Sequence, residues 1–130
     1  MDNKNIQIIE NYIAAAYRGD LDTARQFLTE DITLVMTGSN QMTGKYHGPD
    51  NFFAAFGKMM QLSRGTYRLA EQLDWLMSDT RVVLLAREEV EHEGEIVSFD
   101  RAVMYEIRGE QIALVRIYEG DTDAADLSFR

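Results

Sequence analysis

The sequence predicts an α+β fold in which a curved antiparallel sheet closes over helices from the N-terminal half. Three observations predict it. Apolar residues recur at helical spacing as far as Met60, whereas from Thr66 onward they fall with period two in long strand-like runs. Turn-like pairs, Ser78-Asp79, Gly94-Glu95 and Gly109-Glu110, separate those runs, so the strands follow one another as a meander. Helices first and antiparallel strands last define the class.

The first helix runs from about Asn3 to Tyr17, with Ile6, Ile9, Tyr12, Ile13, Ala16 and Tyr17 on one side of the helical wheel. Gly19 ends it. Asp20 then offers an N-cap to a second, shorter helix whose stripe is Leu21, Ala24, Phe27 and Leu28. Asp31 to Met36, rich in β-branched residues, reads as a first strand, Thr37 to Gln41 as a loop, and Thr43 to Gly48 as a place for a short strand. Pro49 suits the first turn of a third helix, which carries Phe52, Phe53, Phe56, Met59 and Met60 on its apolar face. The remaining strands are Tyr67 to Met77, Thr80 to Glu91, Glu95 to Ile107 and Gln111 to Glu119.

One domain, residues 1–130, accommodates all of this, and a chain of 130 residues buries roughly two-thirds of its unfolded surface. With no cysteine, a disulfide framework, thiol catalysis and thiolate metal sites are excluded. The sequence also lacks a histidine pair at helical spacing, a calcium loop, a glycine-rich phosphate loop and a nucleophile elbow, so no metal site is expected. A net charge of −9, from 22 acidic and 13 basic residues, repels phosphate backbones and anionic lipid, which argues against nucleic acid or membrane as a partner. Apolar stretches such as Val82 to Ala86 fall far short of the roughly 20 residues a membrane span needs. The N-terminal residues show no signal-peptide core, and a cytoplasmic location is expected.

Two charges interrupt otherwise apolar strand faces. With period two, one face of the fourth strand-like run is Val82, Leu84, Ala86, Glu88, Val90 and His92, and that of the next is Val97, Phe99, Arg101, Val103, Tyr105 and Ile107. A type II′ turn at Gly94-Glu95 would set Glu88 directly opposite Arg101. A buried ion pair is a poor stabiliser, so such a pair points to polar groups facing a ligand or water. The acidic run around Glu88 also fits a solvated edge, and a one-residue bulge would turn either partner outward. The last strand has two facings. A two-residue turn at Gly109-Glu110 sends Ile112, Leu114, Arg116 and Tyr118 inward; a three-residue loop sends Ala113, Val115, Ile117 and Glu119 inward. In the first case Tyr118 lies opposite Arg101, a site for an anionic or carbonyl oxygen; in the second Glu119 joins Arg101.

Several local strings add a resemblance. Tyr12-Ile13-Ala14-Ala15 runs into Gly19-Asp20-Leu21-Asp22, Thr43-Gly44-Lys45-Tyr46-His47-Gly48 precedes a helix, and Arg116-Ile117-Tyr118 stands in the last strand. In their order and spacing the chain resembles the nuclear transport factor 2-like superfamily, which includes ketosteroid isomerase and SnoaL-like polyketide cyclases. The resemblance implies a cone-shaped barrel of cystatin-like topology, its curved sheet wrapped around three helices, with an apolar cavity at the open end and a homodimer across the outer face of the sheet. It places Tyr12 at the tyrosine that donates to the oxyanion in the isomerase. It places Met36 at the general-base aspartate and Val103 at or near the protonated aspartate, and neither can do that work. It favours the three-residue loop, which makes Glu88, Arg101 and Glu119 similar to the set that activates water in the superfamily's epoxide hydrolases.

The expected function is binding of a small hydrophobic, oxygenated molecule, with isomerase, cyclase or hydrolase chemistry that needs no cofactor. Glu88 or Glu119 would accept a proton, Arg101 would orient it or stabilise negative charge, and Tyr12 would donate a hydrogen bond. Phe53, Phe56, Met60 and Trp75 are expected on the cavity wall from the helices and first long strand, and Val90, Phe99, Val103 and Tyr118 from the later strands. Tyr17, Tyr46, His47 and His92 are weaker candidates, since nothing fixes the direction of the tyrosines and the histidines stand near turns. The competing expectation is a non-catalytic ligand-binding or dimerisation module.

Overall fold

Ile9, Tyr12, Ala15 and Ala16 form the buried stripe of helix α1 (Lys4–Tyr17), and Phe52, Ala55 and Met59 that of helix α3 (Gly48–Leu62). These spacings of three and four bring each set onto one face, which packs on the sheet. The computed structural model describes residues 4–130, so Asn3, expected at the start of α1, lies outside the described residues. Between the two helices stand α2 (Leu21–Arg25), β1 (Leu28–Met36) and β2 (Gly44–His47). After α3 come β3 (Arg68–Met77), β4 (Arg81–His92), β5 (Glu95–Arg108), β6 (Gln111–Glu119) and α4 (Thr122–Ser128). The fold is α+β, with one curved six-stranded sheet in the order β2-β1-β6-β5-β4-β3. Its edges, β2 and β3, do not pair with each other, so the sheet is open rather than a closed barrel. One pairing, β1 with β6, is parallel. No helix among the described residues is long and apolar enough to cross a membrane.

Asp20 caps α2 as expected, its Oδ1 accepting from the Thr23 amide at 3.2 Å. The helix is shorter than the stripe suggested because Leu28 is the first residue of β1, paired with Ile112 of β6. A helix this short contributes little on its own, and the sheet hydrogen bonds take the residues that would have extended it.

Inner faces of β4 and β5 carry the expected alternation, with Val82, Leu84, Ala86, Glu88 and Val90 buried on one strand and Phe99, Arg101, Val103, Tyr105 and Ile107 on the other. The turn between them is displaced, however. Glu93 and Gly94, with φ of 51° and 82°, form it, both in the left-handed region that a type I′ hairpin requires. Arg101 therefore pairs with Ala86 and Glu88 with Phe99, two residues from the expected register. A slip of two preserves facing, so both charges still point inward.

The β5–β6 hairpin combines features of both anticipated alternatives. Gly109-Glu110 is a two-residue turn, since Arg108 pairs with Gln111. Ile107 then pairs with Ile112 but Glu106 with Leu114, leaving Ala113 as an extra residue in a bulge. That single residue reverses the facing of the rest of β6. Val115 and Ile117 are buried as a result, the Glu119 side chain is only 4% exposed, and Tyr118 is outside.

A fourth helix, α4, follows β6, beyond the last element expected. Asp121 caps it by accepting from the Ala124 amide at 3.0 Å. Its Asp126 Oδ1 accepts from the Ser39 amide and from Asn40 Nδ2, each at 2.9 Å, and the Phe129 carbonyl accepts from the Gln41 amide at 3.0 Å. Phe129 is fully buried and packs against Phe99 and Tyr67. Phe129→Ala is expected to lower stability by about 3–5 kcal/mol, measured as the midpoint shift in urea. A loss below about 1 kcal/mol would show that α4 is not part of the core.

Candidate functional site

Helices α1 and α3 and the inner face of the sheet surround a cavity of about 80 Å³, several times the space one water needs. Tyr12 and Tyr17 reach it from α1, Phe52, Ala55, Phe56 and Met59 from α3, and Leu84, Glu88, Val103, Tyr105 and Ile117 from the sheet. Tyr67, just ahead of β3, also lines it. Of the lining residues, Tyr17 is exposed and Ile13, Phe56 and Leu69 are half-buried, which marks the mouth.

Glu88 is the one charged residue on this wall among the described residues. Its Oε2 accepts from Arg101 Nη1 at 2.7 Å. On the other side, Arg101 donates through Nε and Nη2 to the two oxygens of Glu119, at 2.6 and 2.9 Å. The bidentate pair follows from register, because Arg101 and Glu119 are directly opposed on β5 and β6. Glu88 reaches the same guanidinium diagonally from β4, beside Ala86. The Arg101 side chain has no exposed surface, with Phe99 and Phe129 rings 5.0 and 5.4 Å from its central carbon. Burial works against its charge, but the carboxylates of Glu88 and Glu119 more than offset this and hold it above the usual arginine range. Glu88 Oε1 has no hydrogen-bond partner among the described residues.

Tyr12, Tyr67 and Tyr105 are all buried, and each phenol is held well above its ordinary range. Burial is the main cause for all three. Tyr17 adds to it at Tyr12, Glu88 leads the further causes at Tyr67, and Tyr12 leads them at Tyr105. These groups are neutral hydrogen-bond donors at ordinary pH, not bases.

The structure brings Tyr12, Glu88, Phe56 and Val103 together at the cavity and sets Arg101 and Glu119 behind Glu88. Other expected wall residues lie elsewhere. Phe53 and Met60 are half-buried on the flank of α3 and pack on the core without lining the cavity. Val90 and Phe99 are buried on the inner face but do not line it, and Phe99 instead lies against Arg101. Trp75 is half-buried opposite Leu84 and also stays off the wall. Tyr118, 49% exposed, faces outward because of the Ala113 bulge. The Tyr46 hydroxyl is spent on the Met42 carbonyl, His47 is exposed beside Thr33, and His92 ends β4. Tyr105 and Tyr67 line the cavity without having been expected there, although Tyr105 shares the period-two face of Arg101 in the sequence. Met36 and Val103, at or near which the resemblance would put the isomerase aspartates, both line the cavity. Among the described residues, no group of three His, Cys, Asp or Glu could hold a metal ion.

A family model of the SnoaL-like domain matches residues 9–115. An uncharacterised protein of Mycobacterium tuberculosis is 22% identical over 125 residues, covering 96% of this chain and 95% of that protein. A Xanthomonas campestris protein with a cystatin-like fold superposes with a TM-score of 0.87 at 24% identity, covering 96% and 97% of the two chains. A candidate SnoaL-like polyketide cyclase of Jannaschia superposes with a TM-score of 0.79 at 13% identity, covering 99% and 94%.

The buried phenols carry a pH consequence. Their folded pKa values lie above the unfolded value of about 10, so their contribution to stability is complete below that pH and is lost as pH rises above it. Unfolding free energy is expected to fall by up to about 1.4 kcal/mol per pH unit for each of these tyrosines. Urea titrations between about pH 8 and pH 11, followed by phenolate absorbance, check this. Full ionisation of these tyrosines near pH 10 in the folded chain would contradict it.

Proposed function

The chain belongs to the SnoaL-like domain family, within the nuclear transport factor 2-like superfamily, and from that premise we propose that its cavity binds a small hydrophobic molecule carrying an oxygen function and acts on it by cofactor-independent acid/base chemistry. The observation that carries this reading is Glu88, whose unpaired oxygen belongs, among the described residues, to the one charged residue on an otherwise largely apolar wall. Glu88 receives a proton from the bound molecule. Arg101 positions that carboxylate, and Glu119, with both oxygens bound to Arg101, anchors the arginine rather than taking the proton itself. Tyr12, neutral and buried, donates to the ligand oxygen. One acceptor carboxylate with neutral donors can serve isomerisation, cyclisation or hydrolysis. Ketosteroid isomerisation is not the reading, because the resemblance would put the aspartates it needs at Met36 and at or near Val103, and neither residue can do that work.

The proposed form is a cytoplasmic homodimer joined through the outer face of the sheet. Leu85, Ala102, Met104 and Leu114 are half-buried there, and Tyr118 is exposed beside them. Buried in an interface, these groups would lose their contact with water.

Saturation-transfer NMR with small aromatic alcohols and ketones tests the site. Binding is expected to the native chain, to weaken about three- to tenfold for ketones in Tyr12→Phe, and to vanish in Val103→Trp, which fills the cavity. Equal binding to a folded Val103→Trp would overturn the assignment. Light scattering tests the assembly: twice the chain mass is expected for the native protein and a single chain mass for Met104→Arg. A monomeric native protein would refute the dimer.

A further inference from the structure

We propose that this cavity selects a small organic cation, a protonated amine whose N–H groups donate to Glu88 Oε1. The inference rests on the reading of the cavity as a ligand site and adds the ligand's charge. Two carboxylates and one guanidinium make up the buried cluster, with side chains 6%, 4% and 0% exposed for Glu88, Glu119 and Arg101. The cluster therefore carries one negative charge in excess. Among the described residues, no lysine, arginine or histidine lines the cavity to offset it. A buried charge left without a partner is costly, so the site favours a ligand that brings the missing positive charge.

Hydrogen bonding directs that excess to one atom. Both Glu119 oxygens are taken by Arg101, as is Oε2 of Glu88, and among the described residues Oε1 alone of the four remains without a partner, on a residue of the cavity wall. Tyr12, Tyr17, Phe52, Phe56, Tyr67 and Tyr105 line the same space. Aromatic rings have negative faces that attract a cation, and the buried phenols of Tyr12, Tyr67 and Tyr105 stay neutral, so they do not compete for the role of counter-ion. An oxygen function on the same ligand would meet Tyr12. An anionic ligand meets the same excess charge with the wrong sign, and a neutral alcohol fills the hydrogen bond but leaves the charge uncompensated. The net charge of −9 also raises the local concentration of cations around the protein.

Titration calorimetry near neutral pH, with benzylamine, benzyl alcohol and benzoate as probes of similar shape, tests this. Benzylamine is expected to bind at least about tenfold more tightly than benzyl alcohol, and benzoate not to bind. Glu88→Gln should bring the amine-to-alcohol ratio close to unity. If the native chain binds alcohol as tightly as amine, the cation inference fails while the ligand-site reading stands; if none of the three binds, the ligand-site reading fails with it. An amine preference that survives Glu88→Gln would overturn the placement at Glu88. The native ratio is decisive even where the variant does not fold.

Discussion

Arg101 sits fully buried in the middle of β5, where a long apolar side chain would be the ordinary choice, and its guanidinium draws a carboxylate from each neighbouring strand. Removing either acid would leave donors without acceptors in a dry interior, and removing the arginine would leave two carboxylates facing each other. The cluster thus ties β4, β5 and β6 together by charge as well as by their ladders. It also accounts for the chain beyond the sheet: Phe129 lies over the guanidinium on one side as Phe99 does on another, and α4 holds Phe129 there. The latch from Asp126 to Ser39 and Asn40 joins that helix to the loop between β1 and β2.

The two carboxylates are not equivalent, and that asymmetry is what connects the fold to chemistry. Glu119 is directly opposed to Arg101 and is satisfied by a bidentate bond, whereas Glu88 arrives on the diagonal and keeps one oxygen free. Only Glu88 belongs to the cavity wall. The surrounding phenols are neutral because they are buried, so the site pairs one acceptor with several donors. Met36 and Val103 supply apolar surface to the same cavity.

Much of this was legible along the chain because it rests on local geometry. The stripes of α1 and α3, the Asp20 cap and the inward facing of Glu88 and Arg101 follow from periods of 3.6 and 2. The hairpin tip lies at Glu93-Gly94 and not at the expected Gly94-Glu95, a shift of two in register that leaves the facing of both strands intact. Other features depended on residues distant in sequence. The extra residue at Ala113 turned Tyr118 outward and Glu119 inward, and α4 is short enough to need Phe129's burial against Phe99 and Tyr67. Trp75, Val90 and Phe99 have the composition of cavity residues, but their distance from the cavity is a matter of packing.

By itself the sequence determined the α+β class, the apolar faces and the two charges that interrupt them. Tertiary structure decided that the sheet stays open, that β1 runs parallel to β6, which carboxylate faces the cavity, and which aromatic rings surround it. The physical reason is that alternation along a strand is set residue by residue, whereas register is settled between strands by hydrogen bonds and packing. One unpaired residue in β6 is enough to exchange its two faces, and with them the group that Arg101 meets.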